Sequence, residues 1–338
     1  MKSELNSIVL ESRPGIEFEN EGVLNPACIE KDGLIHLFYR AVRQGNFSTL
    51  GYCQIKDGQI INRSNLPFLS PEYQYEKHGI EDPRITYLDG KYYMFYTAYD
   101  GQNALAAYAT SNDLKTFTKQ GLISPQISYD EAEDIFRRSG VIQKYIFFEK
   151  VFRQTKGDNV YLWEKDAMLF PQKINGRFAL IHRILPGIQI CYFDNFDQLN
   201  QNFWRNYLEN LADSIILDPK FPFEDAYIGG GCPPLDTPQG WLLIYHSAQN
   251  SPEGQIYHAC AALLDKDNPQ KVIARLSHPL FSPEADWEKK GVIDNVVFPT
   301  SALIHDDTLS IYYGAADTRI AVHNFSLSKL LAELSSSL

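Results

Sequence analysis

The chain has 338 residues, of which 44% are hydrophobic and 13% aromatic. That is enough apolar material for a large core, in one big all-β domain or two ordinary domains. The net charge of −11 comes from acidic and basic residues interspersed along the chain, which argues against nucleic acid or an anionic membrane as the main partner.

The N-terminal segment, MKSELNSIVLESRPG, lacks the apolar run and small-residue cleavage site of a secretory signal. No later stretch approaches the ~20 apolar residues that cross a bilayer. Cys28, Cys53, Cys191, Cys232 and Cys260 are far apart and include no C-x-x-C pair. Such a set reads as reduced thiols in a cytoplasmic protein, with neither a disulfide framework nor a zinc site.

A turn-plus-strand pattern then recurs: DGLIHLFYRA from Asp32, DGKYYMFYTA from Asp89, NGRFALIHRI from Asn175, QGWLLIYHSA from Gln239 and DDTLSIYYGA from Asp306. Asp-Gly and Asn-Gly supply the positive φ that tight hairpins need, and the β-branched and aromatic run that follows reads as a strand. Apolar strands such as NPACIE, DPRITYL and FPTSALIH precede most copies, and STLGYCQI, ALAAYATS, IQICYFD, IYHACAALL and RIAVHNFS follow them. At least three strands per unit, repeated five times over nearly the whole chain, predict a single-domain five-bladed β-propeller. A pair of β-sandwiches and a β-solenoid are the competing arrangements.

The widest gap between copies holds an insertion, about 128–162. Its DEAEDIFRRSG predicts a helix, and YIFFEKVFR fits strand or helix. The insertion reads either as a surface or oligomer contact or as a flap over the mouth of the propeller.

In a propeller the strand nearest the axis lines the central funnel, so polar residues at its entry are the candidates for chemistry. Asp82, in GIEDPRITYL, precedes a proline, which favours an extended backbone and removes the next donor. A turn aspartate paired with Arg84 is the competing reading. In KDAMLFPQKINGRFALIHRI, Lys165, Lys173, His182 and Arg183 form a basic set suited to phosphate. Strand alternation sends His182 and Arg183 to opposite faces unless a bulge intervenes. Asn25 before Pro26, Arg40 at the end of the first copy, His246 at the end of the fourth, and Asp317 after the last are candidates for gripping sugar hydroxyls. GGGCPP at Gly229 to Pro234 is followed by no Lys-Ser/Thr, so it reads as close backbone passage by a ligand or neighbouring blade. Neither H-E-x-x-H nor G-x-S-x-G occurs. Glu224 and Asp225, in FPFEDAYIGGG, are the candidates for a general base.

Five blocks in order, LNPACIEKDGLIHLFYRA, GIEDPRITYLDGKYYMFYTAYDG, KDAMLFPQKINGRFALIHRI, IGGGCPPLDTPQGWLLIYHS and VVFPTSALIHDDTLSIYYGAADT, resemble glycoside hydrolase family 130, the β-mannoside phosphorylases and related β-mannosidases. The resemblance covers essentially the whole chain and implies a five-bladed propeller. It implies inverting phosphorolysis of a β-1,2- or β-1,4-mannoside to α-mannose 1-phosphate and a shortened sugar. Asp82 matches the family's acid, which acts through a sugar hydroxyl that relays the proton. Asn25, Arg40 and Asp317, with Arg84 and His246, fall at the sugar-binding positions, and Lys165, Lys173 and Arg183, with His182, at the phosphate-binding ones. Some members carry arginine and asparagine where Lys165 and Asp166 stand, and Asp166 would repel phosphate unless a cation pairs with it. The implied partners are a mannose-containing oligosaccharide, phosphate as co-substrate and further copies of the chain, with no metal or organic cofactor. Hydrolysis by water, with Glu224 or Asp225 as base, and non-catalytic glycan binding are the alternatives.

Overall fold

The computed structural model describes residues 4–157 and 160–336. The fold is nearly all β, arranged in four sheets. The chain runs through them as successive antiparallel meanders. The first comprises Gly22–Lys31, Leu34–Arg43, Phe47–Lys56 and Gln59–Arg63. The second comprises Gly79–Leu88, Lys91–Tyr99, Ala104–Ser111 and Thr118–Leu122. One parallel pair, Ser48 with Gly79, joins these two into an eight-stranded sheet.

The third meander is Lys165–Leu169, Phe178–Arg183, Ile188–Phe193 and Ile215–Leu217. The fourth is Tyr227–Gly230, Gly240–Ser251, Gly254–Leu264 and Val272–Arg275, with Leu235–Thr237 also paired to its long second strand. The last has Val297–His305, Thr308–Ala315 and Arg319–Ser326, and the N-terminal strand Glu4–Leu10 completes it. Each predicted turn-plus-strand copy is therefore a hairpin leading into a second strand.

Successive residues of a strand face opposite ways, and here both faces are buried. Phe38 packs with Ile85 and Met94 of the second meander, whereas Leu37 and Tyr39 pack with Tyr312 and Ile320 of the last. Further apolar cores fill the spaces between the second and third, third and fourth, and fourth and last meanders. This is why the repeated strands read as almost continuous apolar runs.

The insertion packs over the second and third meanders. Tyr129–Phe136 is a helix capped by Ser128, whose side chain accepts from the Glu131 N–H, as DEAEDIF predicts. The YIFFEKVFR segment is helical too, within Gln143–Lys156. Tyr129, Ile135, Phe136 and Tyr145 bury themselves against Leu169, Phe178 and Trp204. Residues 158 and 159 of the predicted insertion lie outside the described residues.

One buried polar contact recurs between meanders. Glu76, Glu224 and Glu288 each sit third in a short helical turn and are fully buried. Each accepts backbone N–H bonds at the start of its turn. Each also accepts from a strand tyrosine: Tyr96 at 2.8 Å, Tyr245 at 2.8 Å and Tyr313 at 2.5 Å. A partner from an edge strand of the sheet completes the group, namely Lys119, Arg275 and Asn6. In the first meander Glu19 does the same with Tyr39 and Arg63. In the third, a buried His182 stands in the tyrosine position with Glu164 at 2.8 Å. Removing one side of such a group strands a buried charge. Glu224→Ala should therefore lower unfolding free energy by about 3–5 kcal/mol in urea titrations.

Candidate active site

Two of the candidate residues, and Asp166 with them, owe their position to the same local irregularity. The first strands of the first three meanders each lose register once, between Leu24 and Ala27, Glu81 and Arg84, and Lys165 and Met168. Inside those breaks lie Asn25, Asp82 and Asp166, with φ of 48°, 51° and 57°. Asn and Asp enter this left-handed region at the least cost among residues with side chains, and a bulge re-aims the side chain it carries. The extended backbone predicted for Asp82 is therefore incorrect, because the bulge overrides the preference imposed by Pro83. The missing donor of Pro83 falls where the ladder is already interrupted.

The re-aimed groups meet in one cluster. Asn25 Nδ2 donates to Asp82 Oδ1 at 2.8 Å, and Arg40 Nη1 stands 3.6 Å from the same oxygen. Arg40 Nη2 pairs with Glu81 Oε1 at 2.9 Å, while Glu81 Oε2 reaches Lys165 Nζ at 3.4 Å. Arg40 is steadied further by donating from Nε to Ser48 Oγ at 2.8 Å. Gly314 makes room for this arrangement, since a Cβ there would come within 2.1 Å of Asn25 Oδ1. Asp317 joins from the turn between the second and third strands of the last meander, with φ of 51°. A cavity of about 350 Å³ opens above the cluster, lined by Arg40, Glu81, Lys165 and Asp317. Its size falls in the ~300–1,000 Å³ range of small-molecule sites.

The charges divide the carboxylates. Burial works to raise the Asp82 carboxyl, but Arg40, Lys165, Arg84 and the Asn25 hydrogen bond outweigh it and hold it below its usual range. Burial pushes Asp317 the other way, to about 6, with Asp82 and Glu81 adding to the rise and Arg40 and Lys165 opposing it. Opposite shifts in neighbouring carboxylates are a mark of functional sites.

A second cluster adjoins the first. Arg84 is almost wholly buried and donates to the Asp82 carbonyl at 3.0 Å, but its ion pair is with Asp166 Oδ1 at 2.9 Å. The competing reading of Asp82 as a turn aspartate paired with Arg84 fails, because the carboxylate that Arg84 pairs with is Asp166. Arg183 Nη1 approaches Asp166 Oδ2 at 3.1 Å, so two cations compensate Asp166. His246 lies fully buried behind, with Nε2 at 3.2 Å from Arg183 and its ring on Phe298 at 4.3 Å. Burial lowers the His246 pKa to about 3, so the ring is neutral and acts on Arg183 rather than reaching the cavity. A Cβ at Gly229 would run into His246 and Asp166, so the glycine-rich run serves close packing between meanders.

Other candidates lie elsewhere. Lys173 is beyond the far end of its hairpin, paired with Asp89 at 3.0 Å, because the length of the strand separates it from Arg183. His182 faces the interior, bonded to Tyr207 and paired with Glu164. Both are corrected from phosphate candidates to structural contacts. Glu224 is consumed by Tyr245, Arg275 and two backbone N–H groups. Asp225 is exposed and accepts from the Asn250 N–H. Neither lines the cavity. Sequence reasoning missed Glu81 and Trp163, both in the cavity wall; the glutamate preceding Asp82 was the available signal. No group of metal ligands occurs among the described residues.

The profile of β-1,4-mannooligosaccharide phosphorylases in glycoside hydrolase family 130 matches residues 10–335. The chain belongs to glycoside hydrolase family 130. Two curated relatives from a Thermoanaerobacter species, a 1,2-β-oligomannan phosphorylase and a β-1,2-mannobiose phosphorylase, are each 36% identical to it. The first aligns over 326 residues, 93% of each chain, and the second over 325 residues, 90% of each chain. The solved structure of a family 130 member, the β-1,2-mannobiose phosphorylase of Listeria innocua with β-1,2-mannobiose, shares the fold. Its TM-score is 0.71 at 24% identity, covering 94% of this chain and 92% of that one.

The raised Asp317 pKa carries a stability signature. Between its ordinary value near 4 and about 6 the native state holds this proton and the unfolded state does not. Stability conferred by the protonated form is full below that window and falls as pH rises through it. Asp317→Asn should flatten this fall, so the variant gains on the wild type in urea midpoints as pH goes from 4.5 to 7.

Proposed function

We propose that the protein cleaves β-mannosides by inverting phosphorolysis, releasing α-mannose 1-phosphate and a sugar shortened by one unit. The observation that carries this reading is Asp82, held by Asn25 and by Arg40, which itself lines the cavity together with Lys165 and Asp317. The activities named for the two Thermoanaerobacter relatives support it. The five apolar cores between successive meanders, with the N-terminal strand closing the last sheet, support five blades around an axis in a single domain.

In this mechanism Asn25, Arg40 and Asp317 hold the terminal mannose, and Lys165 and Arg183 orient phosphate. One phosphate oxygen attacks C1 from the α face while the β-glycosidic bond breaks. Asp82 gives its proton to a mannose hydroxyl, which passes its own to the leaving oxygen. Phosphate arrives ionised, so cations replace the second carboxylate that an inverting hydrolase needs. Phosphate has a further effect here. Its negative charge draws on Arg40 and Lys165, the groups that depress the Asp82 carboxyl, and so favours the protonated acid. Chemistry is thereby gated to the complex that contains both substrates.

Hydrolysis by water is the weaker reading, since neither Glu224 nor Asp225 lines the cavity. No metal or organic cofactor enters the proposal. No helix among the described residues is long and apolar enough to cross a membrane. A cytoplasmic setting belongs to the proposal because a sugar phosphate is retained there, and assembly of several copies is compatible with it.

Product analysis with β-1,2- and β-1,4-mannosides, with and without phosphate, tests the reading. Mannose 1-phosphate should form only with phosphate, and Asp82→Asn should lower kcat by about 10²–10⁴-fold. Lys165→Ala should raise the KM for phosphate, whereas Lys173→Ala should leave it unchanged. Free mannose released equally in both conditions would refute phosphorolysis.

A further inference from the structure

Two cations of the cavity wall share one carboxylate. Glu81 Oε1 pairs with Arg40 Nη2 at 2.9 Å, and Glu81 Oε2 accepts from Lys165 Nζ at 3.4 Å. All three side chains line the same cavity. Glu81 is the last residue in register before the break that carries Asp82. It thus joins a member of the sugar grip to a member of the phosphate set, while belonging to neither.

The two arms of this bridge are unequal. Arg40 is the fixed one, since it also donates from Nε to Ser48 Oγ at 2.8 Å and its Nη1 stands 3.6 Å from Asp82. Ser48 is fully buried at the parallel pair with Gly79, two residues before Glu81, so Arg40 and Glu81 are tied across one seam. Lys165 is the loose one. Its contact with Glu81 is the longer, and its side chain is 22% exposed against 12% for Arg40. Its ammonium stands 5.7 Å from the Trp163 ring and is a point charge on a flexible four-carbon stem, whereas a guanidinium is a planar fork. Lys165 can therefore leave without stranding Glu81, because Arg40 stays to compensate it. Asp166 has the same two-cation arrangement, with Arg84 and Arg183.

We infer that Glu81 is a positioning residue that holds the Lys165 ammonium in the free enzyme and yields it to phosphate. This rests on the phosphorolysis reading above, in which Lys165 orients phosphate. Glu81 keeps the ammonium in the cavity wall and competes with phosphate for it, so its charge weakens phosphate binding. A carboxylate that merely braced the site would strengthen that binding, and the sign separates the two roles.

The test is calorimetric titration of inorganic phosphate, without mannoside and at constant ionic strength, into the wild type and Glu81→Gln. Glutamine keeps the shape and an acceptor for Arg40 but gives up the charge. Phosphate should bind the variant about fivefold more tightly, and its KM in turnover of a β-1,2-mannoside should fall in step. In a Lys165→Ala background the gain should shrink to within about twofold, since the two residues act as a coupled pair. Glu81→Asp, which keeps the charge on a shorter arm, should tighten phosphate less than glutamine does, and it serves if the glutamine variant fails to fold. Unchanged or weaker phosphate binding in these variants, or an equal gain with and without Lys165, would overturn the inference. Mannose 1-phosphate formed by the wild type with no such shift would defeat the role of Glu81 alone. Free mannose as the only product would defeat phosphorolysis, with the binding shift still deciding Glu81, and no phosphate binding by any of the proteins would overturn both.

Discussion

The site depends on a break in alternation at the first strand of each of the first three meanders. A regular strand sends successive side chains to opposite faces, and in these sheets both faces are occupied by apolar cores. A polar side chain on such a strand would be buried between sheets. One left-handed residue per strand removes Asn25, Asp82 and Asp166 from that choice, and the ladder resumes beyond it. Because the bulge has no ladder partner, a proline can follow it at Pro26 and Pro83 without losing a bond. The geometry of the candidate site is therefore built into sheet rather than a loop, with Gly314 giving Asn25 the space it needs.

The charged groups of the site are paired before any ligand enters. Arg40 and Lys165 face Glu81 and Asp82, while Arg84 and Arg183 face Asp166. Removal of one member would leave the others buried and uncompensated, which costs far more than the intact pair contributes. An incoming anion has to redistribute these pairings. In the proposed mechanism that makes the protonation of Asp82 responsive to phosphate, while Arg84 and Arg183 compensate Asp166.

Much of this was legible in the sequence, for identifiable reasons. The turn-plus-strand copies marked the hairpins because Asp-Gly and Asn-Gly serve the backbone directly. Asn25, Arg40, Asp82, Lys165 and Asp317 were found through their motifs, and the structure brings them together. Alternation correctly separated His182 from Arg183 but could not say which faced the interior. The answer lies in the repeated contact: His182 occupies the position that Tyr39, Tyr96 and Tyr313 hold, opposite a buried glutamate. That contact was itself hidden, since the short turns that carry Glu19, Glu76, Glu224 and Glu288 share little beyond the glutamate and a neighbouring aromatic. Glu224 consequently looked free to be a base. Lys173 misled because nearness in sequence to Arg183 becomes separation along a hairpin. The left-handed conformation of Asp82 was not foreseeable from the residues, because local preference opposes it and only the tertiary bulge imposes it.

The central claim is direct displacement by phosphate at the mannose anomeric centre, with Asp82 supplying the proton. Proton and phosphorus NMR of the reaction mixture, recorded before the products can equilibrate, reads this most directly. The account predicts α-mannose 1-phosphate as the first-formed product, absent when Asp82 is replaced by asparagine. β-Mannose 1-phosphate, or free mannose as the first product with phosphate present, would contradict it.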